Sequence, residues 1–126
     1  NKGFNRIAYV GATGKREDHT LGNISHLITY LKEYEIDSVM LTDYGYFVAS
    51  YGNSKFGSFK GQQISFFNID CSKFESKGTK WETNAYKYWW QGTLNEALGD
   101  EIEILSDGFF LVFRTYVSKF AENNRL

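Results

Sequence analysis

A change of hydrophobic period constrains this chain more than any other feature. Leu21, Ile24, Leu27, Ile28 and Leu31 fall on one face of a 3.6-residue repeat. After Ile36 that repeat disappears, and short β-branched and aromatic runs take over. With a single amphipathic helix available, most of the core has to come from the β part.

Composition supports a folded β-rich chain and removes several function classes. The 126 residues suit a single domain, or one small domain plus part of another. Aromatic residues make up 18% and apolar residues 42%, which excludes disorder. Basic and acidic residues number 14 and 15, so there is no electrostatic footprint for a nucleic acid or an anionic membrane. No apolar run approaches the roughly 20 residues that cross a bilayer. The one cysteine, Cys71, forms no intrachain disulfide, in keeping with a reducing, cytoplasmic setting. No signal peptide is visible. The chain starts at Asn1, not Met, so a preceding start is expected to have been removed.

Along the chain, Arg6–Val10 reads as a short buried strand, broken by Gly11-Ala12-Thr13-Gly14. The helix follows, with Asp18 at its N-cap or first turn and an end near Glu33 to Glu35. Residues 38–42 and 46–51 read as a hairpin around Asp43-Tyr44-Gly45, and 62–69 as a further strand. Residues 101–104 alternate cleanly, turn at Ser106-Asp107-Gly108 and return through 109–116. Such spacing suggests a sandwich or a barrel-like sheet pair. The first strand has no evident parallel neighbour, which a strand–loop–helix unit normally requires. Residues 1–36 are therefore expected to be the last unit of an α/β nucleotide-binding domain whose earlier strands lie elsewhere. Residues 37–126 are expected to form an all-β sandwich domain. The alternative is that the first strand joins the β part directly.

Three segments carry chemistry. In Gly11–His19, a glycine-bearing loop between strand and helix lets backbone amides approach an anion at the positive helix end. The segment is neither a Walker A loop nor a dinucleotide Gly-x-Gly-x-x-Gly, and a tight turn with solvated Lys15 and Arg16 is the competing reading. His19, Asn23 and His26 share a helical stripe, but the two histidines are roughly 10 Å apart, too far to share a metal. The third region, Gly78 to Glu96, sets aromatic side chains beside amides and hydroxyls, as a platform for a flat ligand would require. For any one tryptophan here, core packing is the competing role.

Together these segments resemble the thiamine pyrophosphokinase (thiamine diphosphokinase) family. Gly11-Ala12-Thr13-Gly14-Lys15-Arg16-Glu17-Asp18-His19-Thr20-Leu21-Gly22-Asn23-Ile24 is similar to its Gly-Gly-Arg-x-Asp-His-Thr-Leu-x-Asn-Ile block. Gly78-Thr79-Lys80-Trp81 and Thr93-Leu94-Asn95-Glu96 are similar to its Gly-x-Lys-Tyr/Trp turn and Ser-Asn-Glu strand edge. The resemblance implies an α/β nucleotide domain followed by a β-sandwich thiamine domain, assembled as a homodimer with thiamine between subunits. It implies transfer of a pyrophosphoryl group from ATP to thiamine with Mg²⁺, giving thiamine diphosphate and AMP. The expected catalytic residues are Arg16 and Asp18. Gly11, Thr13, Gly14 and His19 are expected at the nucleotide, and Trp81, Thr93 and Asn95 at thiamine.

Departures from the family pattern limit what this chain is expected to do alone. The family's acidic Mg²⁺ motifs, Ala-Asp-Gly-Gly, Gly-Asp-x-Asp-Ser and a later Thr-Asp, lie upstream in its nucleotide domain, ahead of the first block and absent from that place here, so the metal ligands are expected upstream and the isolated chain is expected to be inactive. Lys15 replaces the second glycine of the first block, and Leu94 replaces the serine of the last. A non-catalytic β-sandwich module for a small ligand, with Tyr86, Tyr88, Trp89 and Trp90 as its platform, is the alternative function.

Overall fold

The protein is described from a computed structural model covering residues 6–10, 17–35, 37–85 and 89–118. Its elements in chain order are β1 (Arg6–Val10), α1 (Glu17–Tyr34), β2 (Asp37–Leu41), β3 (Gly45–Tyr51), β4 (Ser54–Gly57), β5 (Gln62–Asn68), β6 (Phe74–Lys77), β7 (Asn95–Glu96), β8 (Glu101–Ser106) and β9 (Phe109–Ser118). A short 3₁₀ turn, Trp89–Gly92, precedes β7.

Two sheets result, a six-stranded one in the order β1-β2-β3-β9-β5-β7 and a three-stranded one in the order β4-β8-β6. Alternation along β9 explains why the larger sheet is covered on both faces. Phe110 and Val112 point between the sheets, where they meet Ile64, Phe66, Phe74 and Ile104. Leu111 points the other way and packs with Leu27 of α1 and Met40 of β2. Ile24 and Ile28 support that contact, so the helical stripe read from the sequence is the face that docks. His26 lies exposed on the other side, as expected of a polar face. The described residues thus form a β-sandwich with α1 on its outer face. Edge-to-face rings, Phe66 on Phe74 at 5.4 Å and Phe74 on Phe110 at 5.2 Å, fill the space between the sheets.

β1 has the parallel neighbour that the sequence reading left it without. It pairs with β2 from Arg6 opposite Asp37 to Val10 opposite Leu41, with α1 as the crossover. β2 then pairs antiparallel with β3, so residues on both sides of position 36 share one sheet.

The turn at 106–108 also differs from expectation. It does not fold β8 and β9 into a hairpin, because β8 pairs with β4 and β6 while β9 pairs with β3 and β5. The apolar faces of β8 and β9 meet across the sandwich instead of lying side by side. A second crossing, at Gly52-Asn53, braces this one: Gly52 N–H donates to the Gly108 carbonyl at 3.0 Å, and Ser106 Oγ to the Gly52 carbonyl at 2.7 Å.

Among the described residues, one cation is enclosed. Arg114 is 9% exposed, its guanidinium 4.6 Å from the Tyr46 ring and 5.0 Å from that of Phe56. Nη1 donates to the Gly57 carbonyl at 2.8 Å, and Nε has no partner among the described residues. Burial pushes this guanidinium below its usual range.

Candidate functional site

The segments around Gly78 and Asn95, separate in sequence, form one corner of the molecule. After β6 the chain leaves the three-stranded sheet and crosses to the free side of β7, the edge strand of the six-stranded sheet. Gly78 makes the crossing at φ +87°, and a Cβ there would lie 2.6 Å from the Glu101 carbonyl oxygen. Only glycine suits both the backbone angle and the close approach.

Past Gly78 the chain runs as a short extra strand. Thr79 bridges Ala97 in antiparallel sense, Lys80 N–H donates to the Glu96 carbonyl at 2.8 Å, and Leu98 N–H donates to the Gly78 carbonyl at 2.8 Å. The Asn95 side chain continues this pairing. Its Oδ1 accepts from Trp81 N–H at 3.1 Å, and its Nδ2 donates to the Trp81 carbonyl at 3.0 Å. Hydroxyl groups fix the turn beneath. Thr79 Oγ1 donates to the Trp81 carbonyl at 3.1 Å and lies 2.6 Å from Ser76 Oγ, which accepts from Thr83 Oγ1 at 2.9 Å.

Trp81 itself is 49% exposed although its main chain is bonded on both sides. An indole so held offers a rigid apolar surface to a flat ligand. Lys80 Nζ lies 4.7 Å from the ring centroid, worth about 0.5–1 kcal/mol at an exposed site. Leu94, 79% exposed, takes φ +66° beside Asn95, and its N–H donates to Ser65 Oγ at 3.2 Å. Such an angle is uncommon outside glycine and is found more often at functional sites than elsewhere.

Of the residues expected at thiamine, Trp81 and Asn95 are thus in direct contact, and Thr93 is exposed two positions before Asn95. Asn95 is buried, its side chain on the tryptophan's main chain. Gly11, Thr13, Gly14 and Arg16 lie outside the described residues, as do Tyr86 and Tyr88 of the alternative platform. Asp18 and His19 occupy the second and third positions of α1, in its first turn. Those positions follow β1, at the edge of the six-stranded sheet opposite β7. Five ladder steps separate the two edges, about 24 Å. Within one chain, β1 and the Trp81 corner thus stand at opposite edges of the sheet. Among the described residues, no group of three His, Cys, Asp or Glu side chains converges to hold a metal.

Ser76 and Thr83 were not singled out from sequence. Hydroxyl residues seven apart in a polar stretch carry no periodic signal, and only the fold brings them together.

Comparison with known proteins places this corner in a family. The family profile described as thiamin pyrophosphokinase, substrate-binding domain, matches residues 45–113, more than half of the chain. Among solved structures, thiamine pyrophosphokinase from Bacillus subtilis superimposes with TM-score 0.77 at 21% identity, over 90% of this chain and 57% of that one. Thiamin pyrophosphokinase from Candida albicans gives 0.72 at 14% identity, over 87% of this chain and 44% of that one. The yeast enzyme gives 0.69 at 14% identity, over 86% of this chain and 39% of that one. This chain therefore spans roughly half the length of these structures, and at such identities the likeness is one of fold. No curated protein matches the chain. The profile runs from β3 into β9 and takes in both halves of the Gly78–Asn95 corner, leaving β1, α1 and β2 before it, and the chain belongs to the thiamin pyrophosphokinase family through its substrate-binding domain.

Proposed function

We propose that this chain supplies the thiamine-binding layer, and residues 1–36 the last strand–helix unit of the nucleotide-binding part, of a thiamine diphosphokinase. The observation that carries the reading is the pairing of Asn95 with Trp81, which joins both family-like segments around one partly exposed indole. The reaction forms a bond between the thiamine hydroxyl oxygen and the β-phosphorus of ATP. The bond from that phosphorus to the α–β bridging oxygen breaks, AMP leaves, and the hydroxyl proton is lost.

In this reading the exposed indole of Trp81 receives a flat ring of thiamine, with Thr93 at the rim and Asn95 beneath. Stacking of this kind is worth about 0.5–1.5 kcal/mol beyond the area it buries. Gly11, Thr13, Gly14 and His19 surround the polyphosphate at the positive end of α1. Arg16 pairs with the transferring oxygens, where a planar fork suits the geometry. Asp18 orients the attacking hydroxyl. Mg²⁺ supplies charge neutralisation in such chemistry; with no ligand cluster among the described residues, its ligands are assigned outside them.

The separation of the two sheet edges supports a homodimer. The loop after β1 of one protomer would meet the Trp81 corner of its partner, completing a site that one chain leaves open.

The test is to incubate the full-length protein with thiamine, ATP and Mg²⁺. Thiamine diphosphate and AMP should form in equal amounts. Arg16→Ala should lower turnover by about a hundredfold or more, with thiamine affinity changed only a few-fold. Saturable thiamine binding without AMP would identify a non-catalytic module, and no saturable binding would overturn the reading altogether.

A further inference from the structure

We infer that Asn95 is a positioning residue that acts through Trp81, and not a group that reads the ligand; the inference rests on the thiamine reading of this corner. The side chain is 6% exposed, and both its oxygen and its nitrogen bond to main chain. Oδ1 accepts from two N–H groups, Trp81 at 3.1 Å and Glu96 at 2.8 Å, which uses both of its lone pairs. Nδ2 donates to the Trp81 carbonyl at 3.0 Å. By accepting from and donating to one residue's backbone, the amide does what a neighbouring strand does in a ladder. It acts at the first residue of β7, just past the Thr79–Ala97 bridge, where among the described residues no strand continues the pairing.

The exposed ring above gives this clamp its purpose. An indole on a free turn loses conformational freedom when a ligand stacks on it, and that loss is subtracted from affinity. Asn95, with Thr79 Oγ1 on the same carbonyl, restricts the Trp81 backbone before any ligand arrives. A short chain of hydroxyls from Thr79 through Ser76 to Thr83 holds the turn from below.

A double-mutant cycle on the full-length protein separates the two roles. Asn95→Asp keeps the shape and the acceptor and sets an oxygen against the Trp81 carbonyl; Asn95→Ser, smaller and uncharged, serves if the first variant does not fold. Either should weaken thiamine binding about tenfold, and by less than twofold in a Trp81→Ala background, because its effect passes through the ring. Losses that multiply across the cycle would overturn the inference. A second arm needs no ligand. The change in tryptophan emission caused by Asn95→Asp should vanish when Trp81 is Phe, and its persistence would overturn the inference. If the wild-type protein binds no thiamine, the thiamine reading fails, while the emission arm still tests the coupling.

Discussion

Gly78 bears the sharpest constraint at the site. Its positive φ and the 2.6 Å that would separate a Cβ from the Glu101 oxygen both oppose any side chain. Gly78→Ala should destabilise the protein by about 2 kcal/mol or more, read as a lower urea midpoint at unchanged slope. Leu94 is the reverse case, an exposed leucine at φ +66°. Leu94→Gly should raise stability by about 1 kcal/mol in the same assay, since it relieves strain and removes no buried contact. A fall in stability would mean that the Leu94 side chain makes packing contacts that its exposure hides. Of these details the sequence showed the residue types and little of their purpose. Trp81 and Asn95 stood out through the family-like segments, but that one clamps the other depends on a bridge between Thr79 and Ala97, eighteen positions apart in the chain. The need for glycine at 78 depends on a carbonyl twenty-three positions away.

Periodicity located β1, α1, β2, β3, β5, β8 and β9 to within about two residues, because each is long enough to show its repeat. β4 and β6 went unread, and β7 was marked only by the family-like strand edge. They are two to four residues long, too short for alternation to register, and tertiary pairing alone makes them strands. The turn at 106–108 shows a second limit, since turn residues mark where a chain bends but not whether it stays in its sheet. Here Asp107 holds the crossing by accepting from Ser72 N–H at 2.8 Å, Lys73 N–H at 3.0 Å and the Ser72 hydroxyl. The hydroxyl bond, then those from the main chain, hold its carboxyl below the ordinary value of 3.8. A depressed folded value stabilises the fold above the unfolded one and is lost as pH falls through the folded value. Asp107→Asn should therefore lower the urea midpoint at neutral pH and narrow its gap from the wild type below pH 3.8. An equal gap at both pH values would assign the effect to something other than this carboxylate.

At the scale of the molecule, the six-stranded sheet sets β1, the strand that precedes the helix, and the tryptophan corner at opposite edges. The sequence showed both segments but not their separation, because sheet order places β9 and β5, distant in the chain, between them. If two chains share each site, Arg16→Ala protein, nearly inactive, and Trp81→Ala protein, lowered about tenfold at subsaturating thiamine, should complement one another when mixed under exchange. Activity should recover to roughly a quarter of wild type, since half the dimers are mixed and each carries one intact site. No recovery under demonstrated exchange would confine each site to a single chain. The central claim, that the Trp81 corner receives thiamine, is tested most directly by calorimetric titration of the full-length protein and its Trp81→Ala variant with thiamine. The account predicts one saturable site per protomer, weakened about tenfold or more by the substitution while the urea midpoint stays nearly constant. Absence of saturable heat, or a variant that loses stability but keeps its affinity, would contradict it.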